Sequence, residues 1–294
     1  MIDQESAAGL ICRSETGEVE LAAKVFVVAA GTYGSPAILM RSGIGPGQHL
    51  TDIGIPIAID APGLGENLHD HPGITLRFAP TQATRHTVNE DYRRGSLYQS
   101  QVVLRARSTR SGGGFDLHVL PYLDQTEAGE WEFMMRAFNM TPRSRGRVRV
   151  RSEDPVQPPV IEPCFLSDPE DHDLAVLADG LTMARQLVET ALLAPTIAAE
   201  VDPGPRVQRL PDLHAFIRRT VDGYSHPVGT CRMGPASDSL AVVDPTGRVP
   251  GTGNLYVADA SIMPAIPRAN TNLTCMLIGV KVADAVAETL RELE

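Results

Sequence analysis

Lys24-Val25-Phe26-Val27-Val28-Ala29-Ala30-Gly31 holds a continuous apolar run from Val25, rich in valine and closing on small residues. Such a run, apolar on both faces, predicts a strand buried within a parallel or mixed sheet. Gly31 and Gly34 let the chain turn sharply after it. Ser35-Pro36 then has the form of a serine N-cap with proline at the first helical position, predicting a helix through Ala37-Ile38-Leu39-Met40. Upstream, Leu10-Ile11-Cys12 and Val19-Glu20-Leu21 flank the polar turn Glu15 to Glu18 and predict a hairpin.

Downstream, Ser42 to Pro72 is too dense in glycine and proline for long elements. From Gly73 to about Glu162 the pattern predicts strands, with alternation at Leu117-His118-Val119-Leu120 and Arg147-Val148-Arg149-Val150. Ser167-Asp168-Pro169-Glu170 has the form of a capping box, opening a helix with Leu174, Leu177, Leu181, Ala184 and Leu187 at helical spacing. Pro211 predicts a shorter helix carrying Leu213, Phe216 and Ile217. The last 24 or so residues predict a helix with Leu273, Met276, Leu277, Val280, Ala283, Ala287 and Leu290 on one face.

The composition fits this mixture of sheet and helix. The chain has 294 residues with 43% apolar and 21% charged, enough to bury a sizeable core and unlike a disordered or fibrous protein. Its 26 basic and 36 acidic residues give a net charge of −10, the wrong sign for a nucleic-acid binder. Cys12, Cys164, Cys231 and Cys275 are scattered, with neither a disulfide framework nor a zinc spacing. No apolar run is long enough to span a bilayer, and no charged leader precedes one, so a soluble, cytoplasmic protein is expected.

Three segments hold candidate chemistry. In Tyr224-Ser225-His226-Pro227-Val228-Gly229 the proline pushes His226 toward an extended backbone, a setting for a general base aimed into a pocket or for a structural histidine. Asn254 to Pro264 reads as a short strand ending at Asp259-Ala260, either a cofactor approach at the strand's carboxyl end or an ordinary strand-to-turn junction. Asn270-Thr271-Asn272 introduces the final helix, whose amino end could stabilise an anion or be simply capped by Asn272.

Together these segments resemble the glucose–methanol–choline (GMC) flavin oxidoreductases. The resemblance runs through His226 to Gly234, Val243-Asp244, Arg248-Val249, Asn254 to Pro264 and Asn270 to Asp284. Ala30-Gly31-Thr32-Tyr33-Gly34-Ser35-Pro36, Ser42-Gly43-Ile44-Gly45-Pro46, Gly65 to Pro72 and Arg143 to Gly146 extend it in family order from about residue 8 onward.

The resemblance implies an α/β (mixed α+β) fold: an incomplete Rossmann-like FAD-binding domain plus an antiparallel-sheet substrate domain with helices. It implies a partial FAD-binding domain over 1–72, a substrate-binding domain over 73–210, and a return over 211–294 that carries the catalytic residues. It implies FAD as cofactor and oxidation of the CH–OH group of a small alcohol, choline-like among others, with the electron acceptor left open. His226 matches the catalytic histidine and Asn270 its partner, expected to face each other across a slot for the flavin ring and a hydroxyl compound. Asp259 and Ala260 match positions along the ribityl and pyrophosphate part of FAD, and Ala30 and Gly31 its adenosine side. Ser225, Thr271 and Asn272 complete the expected cofactor contacts, and no metal is expected.

One part of the pattern is missing. No strand–GxGxxG–helix phosphate cradle occurs, and Gly43-Ile44-Gly45-Pro46-Gly47, Gly63-Leu64-Gly65 and Gly112-Gly113-Gly114 do not supply one. Met1-Ile2-Asp3-Gln4 is an unnatural start for this fold, so a truncated chain or a separately encoded amino-terminal half is expected. The strand at Val25 to Ala30 should then keep an open edge. A flavin-containing hydroxynitrile lyase and a non-catalytic remnant are the alternatives. Several further features read as structural. Arg143, Arg145, Arg147, Arg149 and Arg151 should line one solvated strand face, and Ser111 to Gly114 a hairpin tip. Trp131, Phe133, Met134 and Met135 read as core.

Overall fold

The computed structural model describes residues 2–3 and 6–293; Met1 and Gln4, within the expected unnatural start, lie outside the described residues. The chain forms two compact units: Met1–Asp70 with Arg145–Cys164 and His226–Glu294, and His71–Ser144 with Phe165–Ser225. Relative to the expected segments 1–72, 73–210 and 211–294, residues 145–164 belong to the first unit and 211–225 to the second.

The first unit is built on the run quoted above. Phe26–Val28 forms a strand paired in parallel with Leu255–Val257, Val27 opposite Tyr256. Val257 is fully buried, whereas Val27 remains 48% exposed, and among the described residues Phe26–Val28 pairs on one side only. The open edge expected of an incomplete sheet is therefore present. The helix that follows runs Gly31–Arg41 and starts four residues before the expected Ser35 cap. Gly31 takes the chain through a left-handed turn at φ +78°, which leaves Ser35 and Pro36 inside the helix.

A proline there has a cost, because it cannot donate to the carbonyl four residues back. That carbonyl belongs to Thr32, and the buried Thr230 hydroxyl donates to it at 2.6 Å. The hairpin Leu10–Ser14 with Gly17–Leu21 forms as expected. The final helix, Asn272–Glu292, buries Ile278 and Val282, while its predicted apolar face is open: Leu273 is 77% exposed, and Met276, Leu277 and Val280 are exposed too.

The second unit is an antiparallel sheet in the order Ile197–Asp202, Pro72–Pro80, Trp131–Asn139, Leu117–Gln125, Leu104–Ala106. The helix His172–Val188 packs on it through Leu174, Leu177, Leu181 and Ala184 against Ile74, Leu76, Met135 and Ala137. Gly180 permits the close approach, since a Cβ there would sit 2.9 Å from that of Ala137. This helix starts at His172 rather than at the Ser167 box. Asp168 caps it instead, accepting from the His172 and Asp173 amides. The buried Asp173 carboxylate accepts from Asn139 Nδ2 and the Arg143 and Ser144 amides, which fixes the chain in front of the first turn.

Two further expectations are corrected. Gln82–Arg93 is helical, started by Thr81 Oγ1 accepting from the Thr84 amide; with only Val88 buried, it carries no apolar period to reveal it. The alternating arginines do not share a strand face, because the strand there covers only Arg147–Arg149. Arg143 pairs with Glu170, Arg147 with Glu162 and Arg149 with Glu66. Among the described residues, no helix is long and apolar enough to cross a membrane.

Replacing Thr230 by Val should orphan the buried Thr32 carbonyl and cost about 1–3 kcal/mol. Urea unfolding of the two proteins at neutral pH measures it.

Candidate active site

The predicted residues of the first unit converge around the carboxyl end of Leu255–Val257. Beyond that strand, Asp259 accepts through Oδ2 from the Gly31 amide at 2.9 Å and from the Ser35 hydroxyl, and through Oδ1 from the Ser261 amide at 2.8 Å. Its two oxygens are thus engaged within the fold, joining the amino end of helix Gly31–Arg41 to the short turn Ala260–Ile262. Ala30 and Gly31 lie at that junction, with Ala30 exposed and open space where a Gly31 side chain would point.

The segment after His226 is laddered onto this turn. Gly229 N donates to Ala260 O, Cys231 N to Ser261 O and Met233 N to Ile262 O. Thr32 Oγ1 adds a bond to Pro227 O at 2.7 Å. Gly229 has φ +97°, and a Cβ on it would lie 2.5 Å from Asn67 O, so only glycine lets these two segments approach. Ser225, with φ +64°, belongs to the second unit.

His226 and Asn270 are in direct contact: Asn270 Nδ2 lies 3.1 Å from His226 Nε2. The amide is a donor there, so Nε2 accepts and the neutral ring carries its proton on Nδ1. Burial pushes the imidazole below the usual histidine range, which keeps it neutral at neutral pH. The two groups do not face each other across a slot as expected; half-buried ring and exposed amide share one hydrogen bond. Asn270, Thr271 and Asn272 lead into the final helix, whose cap residue Thr271 offers its free amides no side-chain acceptor. An uncapped amino end of a 21-residue helix holds donors and partial positive charge ready for an anion.

The residues that hold this pair in place lie in Gly65 to Pro72, a stretch that resembles the family but whose side chains had no expected role at the site. Asp70 Oδ1 accepts from the His226 amide at 2.9 Å. Buried His69 has both ring nitrogens engaged, Nδ1 with Asn67 O at 2.6 Å and Nε2 with the Ile266 amide at 2.9 Å. Since an amide only donates, Nε2 is the acceptor and Nδ1 the donor. Burial, with Arg145 nearby, pulls the His69 pKa down to about 4. Four polar residues around one leucine, Asn67 to His71, inside a glycine- and proline-dense stretch were the available signal.

This chain matches known proteins along nearly its whole length. Profiles described as GMC oxidoreductase match residues 1–73 and 142–279. The chain belongs to the GMC oxidoreductase family. Choline oxidase of Arthrobacter globiformis is 36% identical over 269 residues, 88% of this chain and 48% of the relative. An oxygen-dependent choline dehydrogenase of Pseudomonas putida is 31% identical over 310 residues, 97% of this chain and 54% of the relative. The crystal structure of pyridoxine 4-oxidase from Mesorbium loti superposes with a TM-score of 0.85 at 28% identity, covering 98% of this chain and 56% of that one. A variant of formate oxidase of Aspergillus oryzae, at 21% identity and a TM-score of 0.85, shares the fold. The chain spans about half the length of the curated relatives it matches.

Neutral, buried His69 gives the protein an acid sensitivity. Unfolded, this ring titrates near 6.5; folded, at about 4. Between those values the unfolded chain binds more protons, so stability falls as pH drops through this window, by roughly 3 kcal/mol from this group. Comparing urea unfolding of the parent and of His69→Gln at pH 7 and pH 4 isolates that part, which the variant should lack.

Proposed function

We propose that this chain supplies the catalytic portion of an FAD-dependent oxidoreductase acting on the CH–OH group of a small alcohol. The observation that carries this reading is the 3.1 Å contact of His226 Nε2 with Asn270 Nδ2, a neutral base beside an amide donor. Relatives named for choline make a choline-like primary alcohol the first substrate class to try. In this reading the first unit is the FAD-binding part and the second the substrate-binding part.

The residues fit the cofactor. The uncapped helix end at Thr271-Asn272 suits the electron-rich pyrimidine edge of a flavin, and the open backbone at Ala30-Gly31 suits a group lying against it. Asp259 and Ala260 contribute by shaping the strand end, since the Asp259 carboxylate is already bonded to Gly31, Ser35 and Ser261. Ser225 is kept as a cofactor contact on the family resemblance alone. FAD, when bound, supplies the acceptor for the hydride that leaves the alcohol carbon. The protein's part is to move one proton. A substrate hydroxyl that displaces the His226–Asn270 bond donates to Nε2 and accepts from Asn270 Nδ2. The base takes the proton as alkoxide character develops, and the amide holds the oxygen in line.

The chain's partner in this reading is a polypeptide segment carrying the strand–GxGxxG–helix cradle. Support comes from the open edge of Phe26–Val28, exposed Val27, and the exposed stripe Leu273, Met276, Leu277 and Val280. We place the protein in the cytoplasm, in keeping with four free cysteines.

Purified alone, the chain should carry far less than one flavin per protein, and co-expression with such a segment from a GMC relative should raise the absorbance ratio toward one. In the reconstituted protein, His226→Ala should slow anaerobic flavin reduction by a choline-like alcohol about 10²–10⁴-fold. An unchanged rate in stopped flow would remove His226 from the reaction.

A further inference from the structure

The His226–Asn270 contact joins two loops that are distant in sequence and carry no regular secondary structure at the reacting residues. The His226 loop is also held by Thr32 and by its ladder onto Ala260–Ile262, but one short stretch of the same unit, Asn67 to Asp70, bonds both loops. Toward the His226 loop, Asp70 Oδ1 accepts from the His226 amide, and His69 exchanges two main-chain bonds with Val228 at 3.2 and 2.9 Å. Toward the Asn270 loop, His69 Nε2 accepts from the Ile266 amide. Asn67 reaches both: its Nδ2 donates to Gly229 O at 3.2 Å and Pro264 O at 3.4 Å, while Oδ1 accepts from Arg145 Nε at 3.0 Å. Its left-handed backbone, φ +60°, aims the amide inward.

We infer that Asn67, His69 and Asp70 form a clamp of positioning residues that sets the distance between His226 and Asn270. The inference deepens the proposed alcohol oxidation and rests on it for its catalytic meaning. None of the three acts on substrate. Their work is to hold the amide donor against Nε2 before a hydroxyl arrives, so that a hydroxyl entering between them finds acceptor and donor already aligned. His69 is the central strut, because one ring bonds both the stretch's own backbone at Asn67 and the Asn270 loop at Ile266.

The test uses the flavin-free full chain, with two variants that differ only in reach. Glutamine at position 69 can place an acceptor where Nε2 lies, whereas asparagine reaches Asn67 O and not Ile266 N. Two readouts are taken: hydrogen exchange of the amides over 264–270, and the ¹⁵N shift of His226 Nε2, with Asn270→Ala marking the shift for complete loss of the bond. His69→Asn should exchange about tenfold faster over 264–270 and move the Nε2 resonance toward the Asn270→Ala position, while His69→Gln stays with the parent. Asn67→Gly, which keeps the left-handed backbone and deletes the amide, should behave like His69→Asn and decides the matter if that variant does not fold. The clamp is overturned if Asn67→Gly and His69→Asn both keep parental exchange and shift, or if His69→Gln fails as His69→Asn does. These readouts need neither flavin nor alcohol. A reconstituted protein whose flavin no alcohol reduces would end the proposed activity and leave the clamp standing.

Discussion

The Asp259 carboxylate is the joint on which the first unit turns. It sits at the end of one strand of a two-stranded parallel pair and bonds the amino end of the helix that follows the other. Each charge-assisted bond of this kind contributes about 1.5–3 kcal/mol, and Asp259 makes three. Its third bond fixes the turn Ala260–Ile262, and the segment 229–233 is laddered onto that turn, so this side chain supports the backbone that follows His226. A residue that resembles a cofactor ligand is, in the fold, first an organiser of backbone.

The two histidines of the site show how burial and bonding set different tasks. Both are pushed toward neutrality by desolvation. His69 is enclosed with both nitrogens bonded to main chain, so it can neither take nor give a proton without breaking a contact. His226 is half-buried, and its Nε2 faces a side-chain amide that a ligand can replace. In the proposed reaction the first is a strut and the second the base. A neutral imidazole is needed for each, for opposite reasons.

Much of this was legible in the chain's own letters, and the failures have definite causes. The strand at Phe26–Val28, the hairpin near the start, the helix at Leu210–Thr220 and the last helix follow from runs and periods that act locally. The helix after Gly31 was misplaced because Ser35-Pro36 imitates a helix start, and only the distant partners of Ser35 and Thr32 reveal that it lies inside. Gln82–Arg93 went unseen because it buries almost nothing. At the site, His226 and Asn270 were visible through their motifs. Asn67, His69 and Asp70 lie in the family-like stretch Gly65 to Pro72, but their partners His226, Gly229, Pro264 and Ile266 are more than 150 residues away, so no local pattern reveals what they hold.

The hydroxyl of Thr230 stands in for the amide proton that Pro36 lacks, so two positions at opposite ends of the chain share one backbone carbonyl. Such a pair is epistatic. A lineage that lost the proline would free position 230 to drift toward any small residue, whereas one that keeps it holds position 230 to a hydroxyl side chain. A proline inside a helix thus leaves its mark on sequence variation far from itself, in the segment that also carries His226.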